Sequence, residues 1–235
     1  MPITLDYQVI DVDTCEPVPD HFVEMWHCNA TGVYSGIGGT QAGLDTTFLR
    51  GIQETDDDGV VQFNSIFPGH YTGRAPHIHL LVYKNGEELS NGTIGHDTTA
   101  IHVGQAFFDQ DLISAVEATS PYTSNQQPLT TNADDGILAE EADPDGVDPL
   151  MAYTLLGSTI EEGLFAWLAF GVNMTYSAAA SPAAALYEDG GVANENGPGA
   201  GGPPGNGTGP PDGAGPSGSG APPSGTAPSS AAPTA

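Results

Sequence analysis

The chain has 235 residues, only 14% of them charged, with three basic side chains against thirty acidic ones and a formal net charge of −27. A charge of that sign repels polyanions, which excludes nucleic-acid binding, and it disfavours anionic membrane surfaces for the same reason. The longest apolar run, "GLFAWLAFGV", is too short to span a bilayer as a helix, so no membrane insertion is expected.

The opening "MPITLDYQVIDVDT" lacks the basic start and apolar run of a secretory leader and reads directly as a strand, as either a trimmed or a mature form would. Residues 3–12 place β-branched and aromatic side chains in near alternation, and "HFVEMWH" (21–27) looks similar after the Pro-bearing turn "CEPVPD". These two are expected to be antiparallel strands. "DDDGVVQFNSIF" puts an Asp-Gly turn before a strand at 60–67, and "HIHLLVYKNGEEL" is a strand running into an Asn-Gly hairpin turn. "DQDLISAVEA" (109–118) suggests a short helix with Asp109 as its N-cap. "GLFAWLAFGVNM" alternates large and smaller apolar side chains, as a core strand does. From about residue 188 onward there is no aromatic residue, no basic residue, and Val192 is the only large aliphatic. Such a stretch cannot bury enough apolar area to offset its ordering entropy. The expected architecture is all-β: a β-sandwich of mostly antiparallel strands with one or two short helices over residues 1–187, then a disordered Gly/Pro/Ser/Thr-rich tail over 188–235.

Cys15 and Cys28 are the only cysteines. A disulfide between them would close a short loop worth about 3 kcal/mol and imply an oxidising compartment; two free thiols are the alternative. Four Asn-x-Thr sequons, at Asn29, Asn91, Asn173 and Asn206, point the same way. With so few charged residues overall, the acidity suits a secreted glycoprotein, released or held at the cell wall, better than a salt-adapted intracellular protein. The sequence sets no oligomeric state.

"GHYTGRAPHIH" (69–79) gathers a phenol, an imidazole pair and one of the chain's two arginines. On a strand His77 and His79 project from one face, which suits two adjacent positions on a metal. Imidazole alone serves zinc, copper, nickel or iron, and the stretch holds no carboxylate to complete a ferrous two-histidine triad. It holds Tyr71 instead. A phenol with a reference pKa near ~10 gives up its proton at neutral pH only beside a strongly charged ion. Ferric iron is such an ion, and two phenolates with one hydroxide would bring it to zero formal charge. A second tyrosine is therefore expected, and "WHCNATGVYSG" supplies Tyr34.

"CEPVPDHFVEMWHCNATGVYSG", "TFLRGIQETDDDGVVQFNSIFPGHYTGRAPHIHLLVY" and "VGQAFFDQDL" together resemble the intradiol ring-cleavage dioxygenases, particularly their secreted fungal-type branch, over about residues 3–175. The resemblance implies that Tyr34, Tyr71, His77 and His79 hold a non-haem Fe(III). It implies that Arg74 stabilises negative charge on the substrate ring and that Gln105 lines the same pocket. It further implies that Tyr71 gives way to the substrate and takes up one of its protons, and that catechols or lignin-derived aromatics react with O2 to give cis,cis-muconate-type diacids. Arg50 falls outside this pattern and is expected in a structural ion pair, and His27 is expected to be a supporting or core residue. His21, His70, His96 and His102 are assigned no role. By the same resemblance, no counterpart of the long N-terminal helical segment of the catabolic intradiol enzymes is expected within these residues.

Two rivals remain at this stage. One is a zinc or copper enzyme using His77 and His79. The other is an extracellular β-sandwich binding module with a catalytically silent metal site.

Overall fold

The computed structural model describes residues 1–95, 99–142, 147–179 and 182–194. In chain order the strands are β1 (Pro2–Asp11), β2 (Phe22–Trp26), β3 (Arg50–Glu54), β4 (Val60–Ile66), β5 (His77–Tyr83), β6 (Glu87–Glu88), β7 (Ile94–Gly95) and β8 (Thr99–Phe107). Helices α1 (Gln110–Glu117) and α2 (Gly136–Glu141) follow, then β9 (Ala152–Leu155), β10 (Leu164–Val172), β11 (Ala178–Ala179), β12 (Ala184–Tyr187) and β13 (Gly190–Ala193). Two sheets face each other, one ordered β4-β1-β10-β9 and the other β11-β8-β5-β2-β3.

Alternation dictates what lies between them. In β1 the side chains of Ile3, Leu5, Tyr7 and Val9 are buried, while Thr4, Asp6 and Gln8 face outward. Val23, Met25, Ile78, Leu80, Val82 and Ala106 approach from the second sheet, and together with Phe63, Leu164 and Ala166 they form one core. Fully buried Leu5 and Val9 each contribute about 1.5–3 kcal/mol by leaving water.

The sandwich and its antiparallel character follow the expectation, with one exception: β1 runs parallel to β10. Three readings of the sequence need correction. β1 and β2 do not pair; β1 sits between β4 and β10 in one sheet and β2 between β3 and β5 in the other. Asn85-Gly86 does not close a hairpin onto β5, because β6 pairs with β7 instead. The cysteines are free: Cys15 is exposed in the turn after β1, whereas Cys28 is buried beside Trp26, Tyr34 and Tyr71, donating its thiol to the Gly69 carbonyl at 3.2 Å. Burial pushes the Cys28 thiol up to about 12, so it is an inert packing group.

Helix α1 begins where expected, with the Asp109 carboxylate accepting from Leu112 N–H. The hairpin of β12 and β13 carries the described chain to Asn194, past the boundary expected at residue 187. Residues 195–235 of the expected tail, Asn206 and His96 lie outside the described residues. No described helix is long and apolar enough to cross a membrane.

Candidate active site

Period-two geometry places the chemistry on the outer face of the second sheet. Ile78, Leu80 and Val82 take the core face of β5, so His77 and His79 emerge on the other. His79 lies opposite Trp26 on β2 and Gln105 on β8, and His77 opposite Phe107. The two tyrosines arrive from loops. Tyr71 starts a four-residue turn in which Arg74 N–H donates to the Tyr71 carbonyl at 3.2 Å and Gly73 adopts φ +91°, a conformation that favours glycine. Tyr34 lies in the loop after β2, its N–H bound to Gln41 Oε1 at 2.7 Å and its ring edge-on to Trp26 at 4.7 Å between centroids.

All four side chains converge. The Tyr34 ring lies 5.6 Å from Tyr71 and 5.9 Å from His79, and Tyr71 Oη is 3.2 Å from His77 Nε2. His77 Nε2 and His79 Nε2 are also 3.2 Å apart. Nδ1–H of His77 donates to the Ala75 carbonyl at 2.6 Å, which leaves its Nε2 as a lone-pair donor facing the cluster. The Tyr34 hydroxyl is buried beside the Tyr71 phenol and forms no well-shaped hydrogen bond among the described residues. Burying a hydroxyl that way is unfavourable unless something else binds it.

The protonation states are those of a ligand set waiting for charge. Burial, and then the Arg74 guanidinium, hold the His77 imidazolium down to about 3; burial and the neighbouring His77 hold His79 well below its ordinary range. Both rings are neutral donors at physiological pH. Burial, followed by the neighbouring Tyr71 phenol, pushes Tyr34 well above the ordinary phenol range. Only a strongly charged cation would draw off that proton. Among the described residues no cluster of three or more His, Cys, Asp or Glu could hold a metal, so a metal at the histidine pair would take its remaining protein ligands from the phenols.

Arg74 is buried next to this cluster. Its Nε donates to Asp135 Oδ2 at 3.0 Å and its Nη2 to Gln105 Oε1 at 2.6 Å. Arg74 is thus held in a buried ion pair with Asp135 beside the tyrosine and histidine cluster. Asp135 was not legible as a site residue. Its Oδ2 also accepts from Ala75 N–H at 2.7 Å, and its Oδ1 caps α2 through Ile137 and Leu138 N–H at 2.9 and 3.0 Å. The signal that would have found it is "DDGILAEE", a capping aspartate ahead of a short helix.

Glu141, at the other end of α2, accepts from Gln105 N–H at 3.0 Å and is raised to about 7, chiefly by burial. Its folded value lies above the ordinary carboxylate value, so the folded state binds the extra proton and stability from this group is lost as pH rises from about 4.5 through 7. Glu141→Gln keeps an acceptor for Gln105 without the charge. Its advantage over the unmodified protein is expected to grow by roughly 1–3 kcal/mol between pH 5 and 8, read from urea unfolding across that range.

Arg50 and the other described histidines are engaged with other partners around the cluster. Arg50 pairs with Glu24 and stacks 4.0 Å over the Trp26 ring, as a structural ion pair should. His27 is fully buried between the Cys28 carbonyl and Ser65 Oγ, both at 2.8 Å. His70 holds Glu117 Oε1 and the Gln127 carbonyl, both at 2.8 Å, and acts as a loop tie. His102 packs on Phe170, 4.8 Å between centroids, and His21 bonds the Pro19 carbonyl.

A family model described as Dioxygenase matches residues 1–88, a span that contains both tyrosines, Arg74 and both histidines. An intradiol ring-cleavage dioxygenase from Tetranychus urticae superposes with a TM-score of 0.59 at 27% identity, covering 75% of this chain and 82% of that one. Over these spans the chain is similar to the intradiol ring-cleavage dioxygenases. A second dioxygenase crystal structure superposes with a TM-score of 0.59 at 26% identity over the same shares of the two chains. No curated protein sequence matches this chain. Gln105 lies outside the span of the family model, on β8, and comes beside His79 through the register of β5 with β8.

Proposed function

We propose that this protein is an intradiol dioxygenase that cleaves catechol-type aromatics, including lignin-derived ones, between their two hydroxylated carbons, using O2 at a non-haem ferric iron held by Tyr34, Tyr71, His77 and His79. The observation that carries the reading is the convergence of two neutral imidazole nitrogens and two phenols around one point, with the Tyr34 hydroxyl buried and without a well-shaped hydrogen bond among the described residues. Ferric iron, when bound, would supply the positive charge that stabilises phenolates and a deprotonated catechol at neutral pH and draws electron density from the ring.

The chain's own groups divide the remaining work. Tyr71 Oη, at the mouth of a glycine-containing turn, takes up a proton from a substrate hydroxyl as general base. Tyr34, packed edge-on between Trp26 and Tyr71, stays in place. Arg74 presents a guanidinium fixed by Asp135 and Gln105 to the negative charge that develops on the ring, a preorganised electrostatic contribution worth about 10²–10³ in rate. Trp26, Ile37, Phe107 and Leu138 form the apolar surroundings of these groups, which strengthens each of those interactions. The expected product is a cis,cis-muconate-type diacid.

Export to the cell exterior, and with it the secreted fungal-type branch, is part of the same proposal and rests on composition and the sequons, since the cysteines are unbonded. The test is a visible spectrum of the iron-loaded protein before and after anaerobic addition of catechol, followed by oxygen admission. A tyrosinate-to-iron band that shifts to the red on catechol addition, and then one O2 consumed per ring opened, is expected. A colourless, folded, iron-loaded protein would overturn the reading.

A further inference from the structure

The phenols of Tyr34 and Tyr71 come from two different loops, so their separation depends on what ties those loops together. The backbones meet closely: Gly69 N–H donates to the Asn29 carbonyl at 3.2 Å, and a Cβ on Gly69 would stand 2.5 Å from the Ala30 carbonyl oxygen. Gly32, at φ +77°, approaches just as tightly, since a Cβ there would lie 2.3 Å from the His70 carbonyl oxygen and 2.5 Å from Gln127 Nε2. A third segment, following α1, reaches over both. Gln127 Nε2 donates to the Thr31 carbonyl at 3.2 Å, while its Oε1 accepts from Thr72 N–H at 3.1 Å and Thr72 Oγ1 at 3.3 Å.

We propose that Gln127 is a positioning residue that sets the separation of the Tyr34 and Tyr71 phenols, an inference that rests on reading those phenols as iron ligands. Thr31 lies three residues before Tyr34 and Thr72 directly after Tyr71, so one amide spans both ligand-bearing segments. A carboxamide is needed because it offers a donor at one end and an acceptor at the other. The Gln127 backbone is itself anchored: its carbonyl takes His70 Nε2 at 2.8 Å, and its N–H donates to Asn125 Oδ1 at 3.1 Å. Asn125 Nδ2 in turn donates to the His70 carbonyl at 2.8 Å. Every hydrogen bond in this group ends on residues 31, 70, 72, 125 or 127, so the clamp acts on the tyrosines through their chain neighbours.

The experiment compares Gln127→Ala, Gln127→Glu and, as a control, Gln126→Ala at the exposed neighbouring position. Two quantities are read: amide hydrogen exchange at Thr72 in the metal-free protein, and the tyrosinate-to-iron band during ferric titration. For Gln127→Ala, Thr72 exchange about tenfold faster and ferric affinity about 10–100-fold weaker, with a shifted band, are expected. Gln127→Glu keeps the acceptor for Thr72 but puts an oxygen against the Thr31 carbonyl, so Thr72 stays protected while iron affinity falls. The control should match the unmodified protein in both. Unchanged exchange in Gln127→Ala overturns the proposal, and so does faster exchange with an unshifted band, which would reduce Gln127 to a structural tether. If Gln127→Ala does not fold, an unaltered band and affinity in Gln127→Glu overturns it alone. Should the unmodified protein show no tyrosinate band with iron, the ligand reading fails, and Thr72 exchange still reports separately on the clamp.

Discussion

If Tyr34 is a ferric ligand as proposed, Tyr34→Phe is expected to make the metal-free protein more heat-resistant and the iron-loaded protein inactive. Among the described residues the Tyr34 hydroxyl is buried beside the Tyr71 phenol with no well-formed hydrogen bond, although it would be hydrated in the unfolded chain. Leaving such a group unpaired costs about 1–3 kcal/mol, and phenylalanine removes the cost with almost no change in volume. For a folded region of this size each kcal/mol moves the melting temperature by about 2–4 °C, so calorimetry of the metal-free variant should show a clear rise. On the proposed reading the same change removes a phenolate ligand, and ferric affinity should drop by more than about a hundredfold, beyond what loss of a supporting partner costs, with activity and the tyrosinate band lost. Tyr122→Phe is the contrast. Its hydroxyl donates to the Phe67 carbonyl at 2.7 Å, so its loss should destabilise by about 1 kcal/mol and leave the band intact. A fall in melting temperature for Tyr34→Phe would show that the hydroxyl is satisfied without metal and would remove the main support for a metal there.

Replacing Asp135 carries the second large effect, and two substitutions separate its roles. The carboxylate takes four N–H groups: Arg74 Nε, Ala75, Ile137 and Leu138. Asp135→Ala strands a buried guanidinium and uncaps α2. Breaking a buried pair costs about 3–5 kcal/mol and losing a cap about 0.5–2, enough to consume a large share of a typical domain's stability. Urea unfolding should show the loss directly. Asp135→Asn is milder but has no second acceptor oxygen. Its amide can cap the helix or receive Arg74 and Ala75, and its NH2 opposes the N–H groups on the side left over. Arg74 should lose its aim more than the fold loses its stability. A kcat about 10²–10³ lower with little change in KM is expected. Equal kcat in Asp135→Asn and the unmodified protein would show that Arg74 needs no such hold.

How much could be read in advance follows from the range of each signal. Period-two alternation is local, and it correctly indicated the strands around Leu5, Phe63 and Leu80 and the face on which His77 and His79 lie. The Asp109 cap is local too. Pairing between distant strands is not, and the β1–β10 parallel ladder joins segments more than 150 residues apart with nothing in either to name its partner. The cysteines show the same limit: a spacing of thirteen suggested a bond, but the fold buries Cys28 against the tyrosine cluster and leaves Cys15 in an exposed turn. Asp135 and Gln127 come from stretches without periodicity, so neither could be linked to Arg74 or to the tyrosines before the loops were placed.

The sequence by itself determined the class of the fold, the strand that carries the histidine pair, and the donor types within reach of a metal, because side-chain chemistry and alternation act over a few residues. Tertiary structure alone decided that the two phenols share one point with that pair, that Arg74 is held by Asp135 and Gln105, and that Gln127 bridges the tyrosine loops. Those are contacts between segments whose separation along the chain is large and whose local patterns are silent about one another, and they form only when burial of the core brings the sheets and their covering loops together.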